Sequence, residues 1–192
     1  MRTALTLAAL LALSAPSQGQ GVSLGVAGGA NFASLADARA ADIGNATGYH
    51  VGLYADVSVP VVALRTGLYY LRAGDLETVA GEPVAAADFV AVPLDFRLRT
   101  PTPAIQAYLL VGPEARFAVE TDGDRPTISR TSPNVAGTVG LGVGFASPLG
   151  GSSGFLEARY SRDLTGFAED AGLTTDNAYR LDLIVIRAGL GL

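Results

Sequence analysis

Ten ionisable residues, Asp56, Arg65, Asp95, Arg97, Arg99, Glu114, Arg116, Glu157, Arg159 and Arg187, each occupy the parity of an alternating segment that otherwise carries small or polar residues. Side chains two apart in an extended chain point the same way. These acids and arginines therefore share one face of their segments, and they meet if the segments close on themselves. Such a set can line a path for small solutes, or its opposite charges can neutralise one another and fill the interior. An eight-stranded barrel is just wide enough for its own side chains, which favours the filled interior. Asp56 and Arg65 lie on either side of Val59-Pro60-Val61 and are expected to be cross-strand partners. Pairing offsets the cost of holding charge away from water.

Other candidates carry less chemistry. His50 is the only histidine. A base needs a nucleophile or substrate proton within reach, and no nucleophile motif accompanies it, so catalysis is not expected. Gly140, Gly142 and Gly144 form no phosphate loop, because no helix follows to present its N-terminus; they read as close-packing positions. The acids Asp75, Glu77, Glu82, Asp122, Asp124, Glu169 and Asp170 lack EF-hand spacing and read as a solvated acidic rim. There is no cysteine, hence no disulfide, thiolate metal site or lipidated N-terminal Cys. No cofactor or metal is implied. A net charge of −5 argues against nucleic acid as a partner.

Eight segments must position these residues. Alternation runs near 22–32, 49–59, 62–72, 89–99, 105–119, 134–146, 156–163 and 184–192. In the sixth, Val135, Val139, Leu141, Val143 and Phe145 oppose Thr138, Gly140, Gly142 and Gly144. In the second, Val51, Leu53, Ala55, Val57 and Val59 oppose His50, Gly52, Tyr54, Asp56 and Ser58. The bulky apolar parity faces away from glycine, alanine and charge throughout. A soluble lipid-binding barrel would point the large residues inward, overfilling the interior and leaving glycine outside. Hydrocarbon on the outside reconciles the pattern with burial.

The connections alternate in length. Short ones lie at Val59-Pro60-Val61, Thr100-Pro101-Thr102-Pro103 and about 147–153; alanine-rich, acidic ones lie at about 33–48, 73–88, 120–133 and 165–177. Short inner turns and long outer loops are the rhythm of an outer-membrane barrel, and closure is required because an open edge in lipid would leave backbone groups unpaired. The composition agrees, with 49% hydrophobic and 16% charged residues against about 25% charged in an average soluble domain. Before the first strand, Met1-Arg2, the apolar run Ala4 to Leu13 and the small residues Ser17 and Gly19 read as a secretory signal peptide cleaved after Gly19. That leaves 20–192 as one barrel domain.

Several stretches resemble the outer-membrane β-barrel family that contains small porin-like proteins and the PorT-type secretion component. Gly25-Val26-Ala27-Gly28-Gly29-Ala30-Asn31-Phe32 resembles its opening strand, Val92-Pro93-Leu94 its fourth, Val111-Gly112-Pro113 its fifth, and Leu156-Glu157-Ala158-Arg159-Tyr160-Ser161 its seventh. The resemblance implies architecture and transfers no catalytic residue. Two departures are the final Leu192, where an aromatic residue is usual, and the absence of Trp, which leaves Tyr70, Phe96, Phe117, Phe145 and Tyr160 to form the interfacial girdles.

The reading is an all-β, eight-stranded antiparallel up-and-down transmembrane β-barrel in the outer membrane of a Gram-negative bacterium. Its expected partners are the lipid bilayer, the barrel-assembly machinery and a protein met by the outer loops, and it is expected to be a monomer and not an enzyme. A plugged polar lumen with a structural or interaction role comes first. A narrow porin-like channel, or an accessory component of protein secretion, are the alternatives.

Overall fold

The alternating segments form strands because, in each, a run of valines, leucines and aromatics on one parity needs a single apolar neighbour on one side only. A computed structural model describes residues 21–36, 45–59, 61–77, 83–102, 105–119, 133–146, 153–165 and 180–191. The leader assigned to residues 1–19 lies outside them. The strands are β1 (Gly21–Ala36), β2 (Ala46–Ser58), β3 (Val62–Glu77), β4 (Pro83–Arg99), β5 (Ile105–Ala118), β6 (Asn134–Ala146), β7 (Ser153–Asp163) and β8 (Arg180–Gly191).

Each strand pairs antiparallel with the next, and β8 returns to β1 in a register running from Gly25↔Gly191 to Ala36↔Arg180, which closes the barrel. Closure gives every strand two partners, so no strand edge is left open. The apolar parity points outward: Ile105 is 68% exposed, Leu141 62% and Leu53 63%, while the opposite parity holds Asp95, Glu157 and Arg116 at 0–2%.

Two expectations need correction. The third and fourth segments do not stop near Arg72 and start near Phe89. β3 continues to Glu77 and β4 begins at Pro83, so this hairpin projects beyond the others and its connection shrinks to residues 78–82. Register shifts between Arg72 and Asp75 and between Leu76 and Glu77 accommodate the extension, with Gly74 at φ 104°, a left-handed backbone that glycine adopts without steric cost.

The interior is also less uniformly polar than alternation implies. At the long-loop end Leu71, Phe89, Leu181, Leu183, Ala33 and Ala73 form a buried apolar cluster on the β8–β1–β2–β3–β4 side. Here the local pattern is inverted. Asp88 and Asp182 occupy the outward parity, where their carboxylates accept hydrogen bonds from Tyr70 and Tyr160, both at 2.8 Å. Phe89, Leu181 and Leu183 are turned inward.

Candidate functional site in the barrel interior

The interior polar side chains fall into three levels along the barrel axis. At the short-turn end Asp56 and Arg65 are in register across β2 and β3, and Arg65 donates through Nε and Nη2 to Asp56 Oδ2, both at 3.3 Å. Its guanidinium lies against two aromatic rings, 3.7 Å from the centroid of Phe155 and 4.6 Å from that of Tyr54. Arg97 reaches the same Asp56 and lies 5.2 Å over the Tyr108 ring. Arg99, half-buried at the mouth, donates to Val59 O at 2.5 Å and to Gln106 Oε1 at 3.2 Å.

Glu157 on β7 is the hub of the middle level. Its Oε2 accepts from Arg65 Nη1 at 3.3 Å and from Tyr108 OH at 2.9 Å; its Oε1 accepts from Arg159 Nη1 at 3.4 Å and lies 3.6 Å from Arg187 Nη1. Arg159 also clamps Asp95 on β4 with two bonds, Nη2 to Oδ1 at 2.7 Å and Nη1 to Oδ2 at 3.2 Å. A bidentate guanidinium–carboxylate pair is among the stronger arrangements available to side chains. On the other flank Arg187 donates through Nε to His50 Nε2 at 3.0 Å, and His50 Nδ1 meets Asn31 Oδ1 at 2.7 Å. A guanidinium nitrogen only donates, so Nε2 accepts and Nδ1 carries the proton.

Toward the long loops, Arg116 binds Glu114 Oε1 at 2.7 Å, Asp163 Oδ1 at 2.8 Å and Ser161 Oγ at 2.6 Å. Asn134 and the Leu181 backbone N–H donate to Asp163 Oδ2 at 2.7 and 3.1 Å.

All ten charged residues singled out from the sequence thus lie inside the barrel, nine of them buried and Arg99 half-buried. The grouping differs from a set of simple cross-strand pairs. Of the ten, Asp56 with Arg65 and Glu157 with Arg187 are in register across neighbouring strands, whereas Glu157 also collects Arg65 from β3 and Tyr108 from β5, which are not its neighbours. Sequence reasoning passed over Asp163, Tyr108, Asn31 and Asn134 and set His50 aside. Their shared signal was the inward parity, which treats a hydroxyl or an amide like any other small or neutral residue.

Glycine lets these groups reach past a strand. Gly142 is in register with Tyr108 on one side and Glu157 on the other, and a Cβ there would stand 2.5 Å from Tyr108 Cζ. The phenol crosses β6 only because position 142 has no side chain. Tyr54 lies over Gly25 in the same way. No group of three or more His, Asp or Glu able to hold a metal ion occurs among the described residues. Asp75 and Glu77 belong to the backbone of β3, and the remaining rim acids, Glu82, Asp122, Asp124, Glu169 and Asp170, lie outside the described residues.

The sequence matches the family described as outer membrane protein beta-barrel domain over residues 3–189. The chain belongs to this outer-membrane barrel family. A search of curated proteins finds no match. Among solved structures the barrel is similar to Neisserial surface protein A (NspA), with 16% identity, a TM-score of 0.54 and coverage of 88% of this chain and 97% of that one. It is also similar to the N-terminal beta-barrel domain of Pseudomonas aeruginosa OprF, with 14% identity, a TM-score of 0.45 and coverage of 91% and 100%. At such identities the likeness concerns the fold.

As an outer-membrane barrel the molecule meets lipid through its outer wall. Of the aromatics expected at the interfaces, Phe96 (52% exposed), Phe145 (50%), Phe117 (45%) and Tyr160 (39%) project outward. Tyr70 is half-buried and bonded to Asp88. Phe32 and Tyr49 join the long-loop girdle, Tyr49 with its ring 6.1 Å from that of Tyr70. Phenols whose apolar body faces the acyl chains and whose hydroxyl meets a carboxylate suit the boundary between hydrocarbon and water. No helix among the described residues is long and apolar enough to cross a membrane; the strands do the crossing.

Proposed function

We propose that this outer-membrane barrel is a monomer whose interior is closed to solutes, and that it works as a structural or interaction protein through its long-loop end. The observation that carries this reading is the convergence on Glu157. One carboxylate gathers Arg65 from β3, Tyr108 from β5, Arg159 from β7 and Arg187 from β8. Arg159 extends the lattice to Asp95 on β4, and Arg187 extends it to His50 on β2 and Asn31 on β1. A solute path along the axis would have to break several charge-assisted bonds at once. The apolar cluster of Leu71, Phe89, Leu181 and Leu183 adds a dry layer beyond it.

The chain is exported with residues 1–19 removed and is inserted by the barrel-assembly machinery; N-terminal sequencing of the mature protein then begins at Gln20. The refolded protein in a planar lipid bilayer tests the closed interior. No resolved current steps are expected at any moderate voltage, whereas regular openings of uniform size would establish the channel alternative.

A further inference from the structure

Below Glu157 the interior opens into a cup of about 270 Å³ at the short-turn end, lined by Asp56, Arg65, Arg97, Arg99, Tyr54 and Tyr108 among others. We infer that this cup is a binding site for a small oxyanion, a carboxylate or a phosphate, entering from the side of the membrane that the short turns face.

Three guanidinium groups, Arg65, Arg97 and Arg99, line the cup against a single carboxylate, Asp56. The imbalance is local to this level. Arg159 and Arg187 face Asp95 and Glu157 above it, and Arg116 alone faces two acids, Glu114 and Asp163, at the far end. The cup is therefore the positive end of the interior, and a concave, low-dielectric wall concentrates that field on an entering anion.

Hydrogen-bonding capacity points the same way. Arg65 is satisfied by Asp56 and Glu157. Arg97 is not: it is 4% exposed, shares Asp56 with Arg65, and its Nε donates to nothing among the described residues. Arg99 Nε is also buried without a hydrogen-bond partner, and no described carboxylate pairs with Arg99. Buried donors left unpaired are costly, and the guanidinium groups that line the cup match the oxygens of a planar or tetrahedral oxyanion.

The test uses the full chain, refolded in detergent micelles with nitrogen-15-labelled arginine, so that each Nε–H gives its own signal. Inorganic phosphate and benzoate are titrated separately at constant ionic strength, with chloride as the balancing anion. A saturable shift of the Arg97 and Arg99 signals by at least one probe is expected, and the tighter probe identifies the head group. Arg97→Gln should weaken binding by about tenfold or more, as loss of a charge-assisted bond implies. Gln106→Glu, which sets a carboxylate beside Arg99 at the mouth, should weaken it without touching the buried lattice, and it keeps the question open to measurement should R97Q not fold. Arg162→Gln, on the outer wall, should bind normally. Shifts that never saturate with either probe, or affinities unchanged in both R97Q and Q106E, would overturn the site.

Discussion

His50 and Arg187 meet at 3.0 Å across a strand to which neither belongs. Gly29 of β1 is in register with His50 on one side and with Arg187 on the other, and a Cβ at position 29 would press on the Ile186 carbonyl and stand 3.1 Å from Arg187 Cα. The bond spans the seam where the last strand closes on the first, so it ties the two ends of the chain together. Gly29→Ala is expected to lower the unfolding free energy by about 1–3 kcal/mol, the usual range for overpacking. His50→Ala should cost about as much, through the donor and acceptor it leaves unpaired. Urea unfolding of the refolded protein in lipid vesicles measures both, and the double variant should be less destabilised than the sum. A neutral G29A would remove the packing argument.

Removing the charge at the hub while keeping its shape isolates the electrostatic contribution. Glu157→Gln leaves Arg159, Arg187 and Arg65 short of a counter-charge in a buried site and should cost about 3–5 kcal/mol. Asp182→Asn, whose partner Arg162 has a side chain 48% exposed at 3.7 Å, should cost no more than about 1 kcal/mol. Equal effects in the same unfolding experiment would indicate a hydrated interior with no special status for Glu157.

Position 142 separates close packing from backbone preference. Gly142→Ala should destabilise by about 1–3 kcal/mol because the new methyl meets the Tyr108 ring. In a Tyr108→Ala background the same change should cost less, the remainder coming from the Leu156 carbonyl, which the methyl would approach to 2.8 Å. A penalty undiminished in that background would place its cause at that carbonyl and not at the ring.

The outer wall makes an opposite demand. Leu141, outward and 62% exposed at the middle of β6, should tolerate Ile or Val with little loss. Leu141→Arg should cost about 2–4 kcal/mol in a bilayer. Thr100→Arg, in a short turn where the hydroxyl accepts from the Ala107 N–H at 3.1 Å, should cost no more than about 1 kcal/mol, the loss of one exposed hydrogen bond. Comparable losses at the two sites would contradict the depth assignment.

Most of the fold was legible because lipid on one side and a narrow interior on the other impose a period of two, and β6 follows it without exception from Val139 to Phe145. The signal failed where both parities are apolar. Leu110, Phe155 and Val185 are buried in the interior, yet each has a bulky neighbour on the outward parity, so alternation gives them no side; at Leu181 and Leu183 the outward Asp182 reverses the rule. The projecting β3–β4 hairpin was missed because Ala73, Gly74 and Ala85 to Ala87 are weak strand formers, in a stretch held by the pairs Asp75↔Ala86 and Leu76↔Ala85. In the interior, parity selected which charges turn inward. Partners were illegible wherever they lie across a glycine: Tyr108 with Glu157 is set by the registers of β5 and β7 on β6, His50 with Arg187 by barrel closure, and no spacing in the sequence encodes them.

The arrangement of an apolar wall around an ionic axis is tested most directly by collision accessibility. The chain has no cysteine, so single substitutions at Leu141 and Thr138 can each carry a nitroxide label in the barrel reconstituted into vesicles. High accessibility to oxygen and low accessibility to a water-soluble nickel chelate are expected at position 141, and low accessibility to both at position 138, which is buried in the interior. Ready access of the nickel chelate to position 141 would place the leucine face in water and rule out an apolar outer wall.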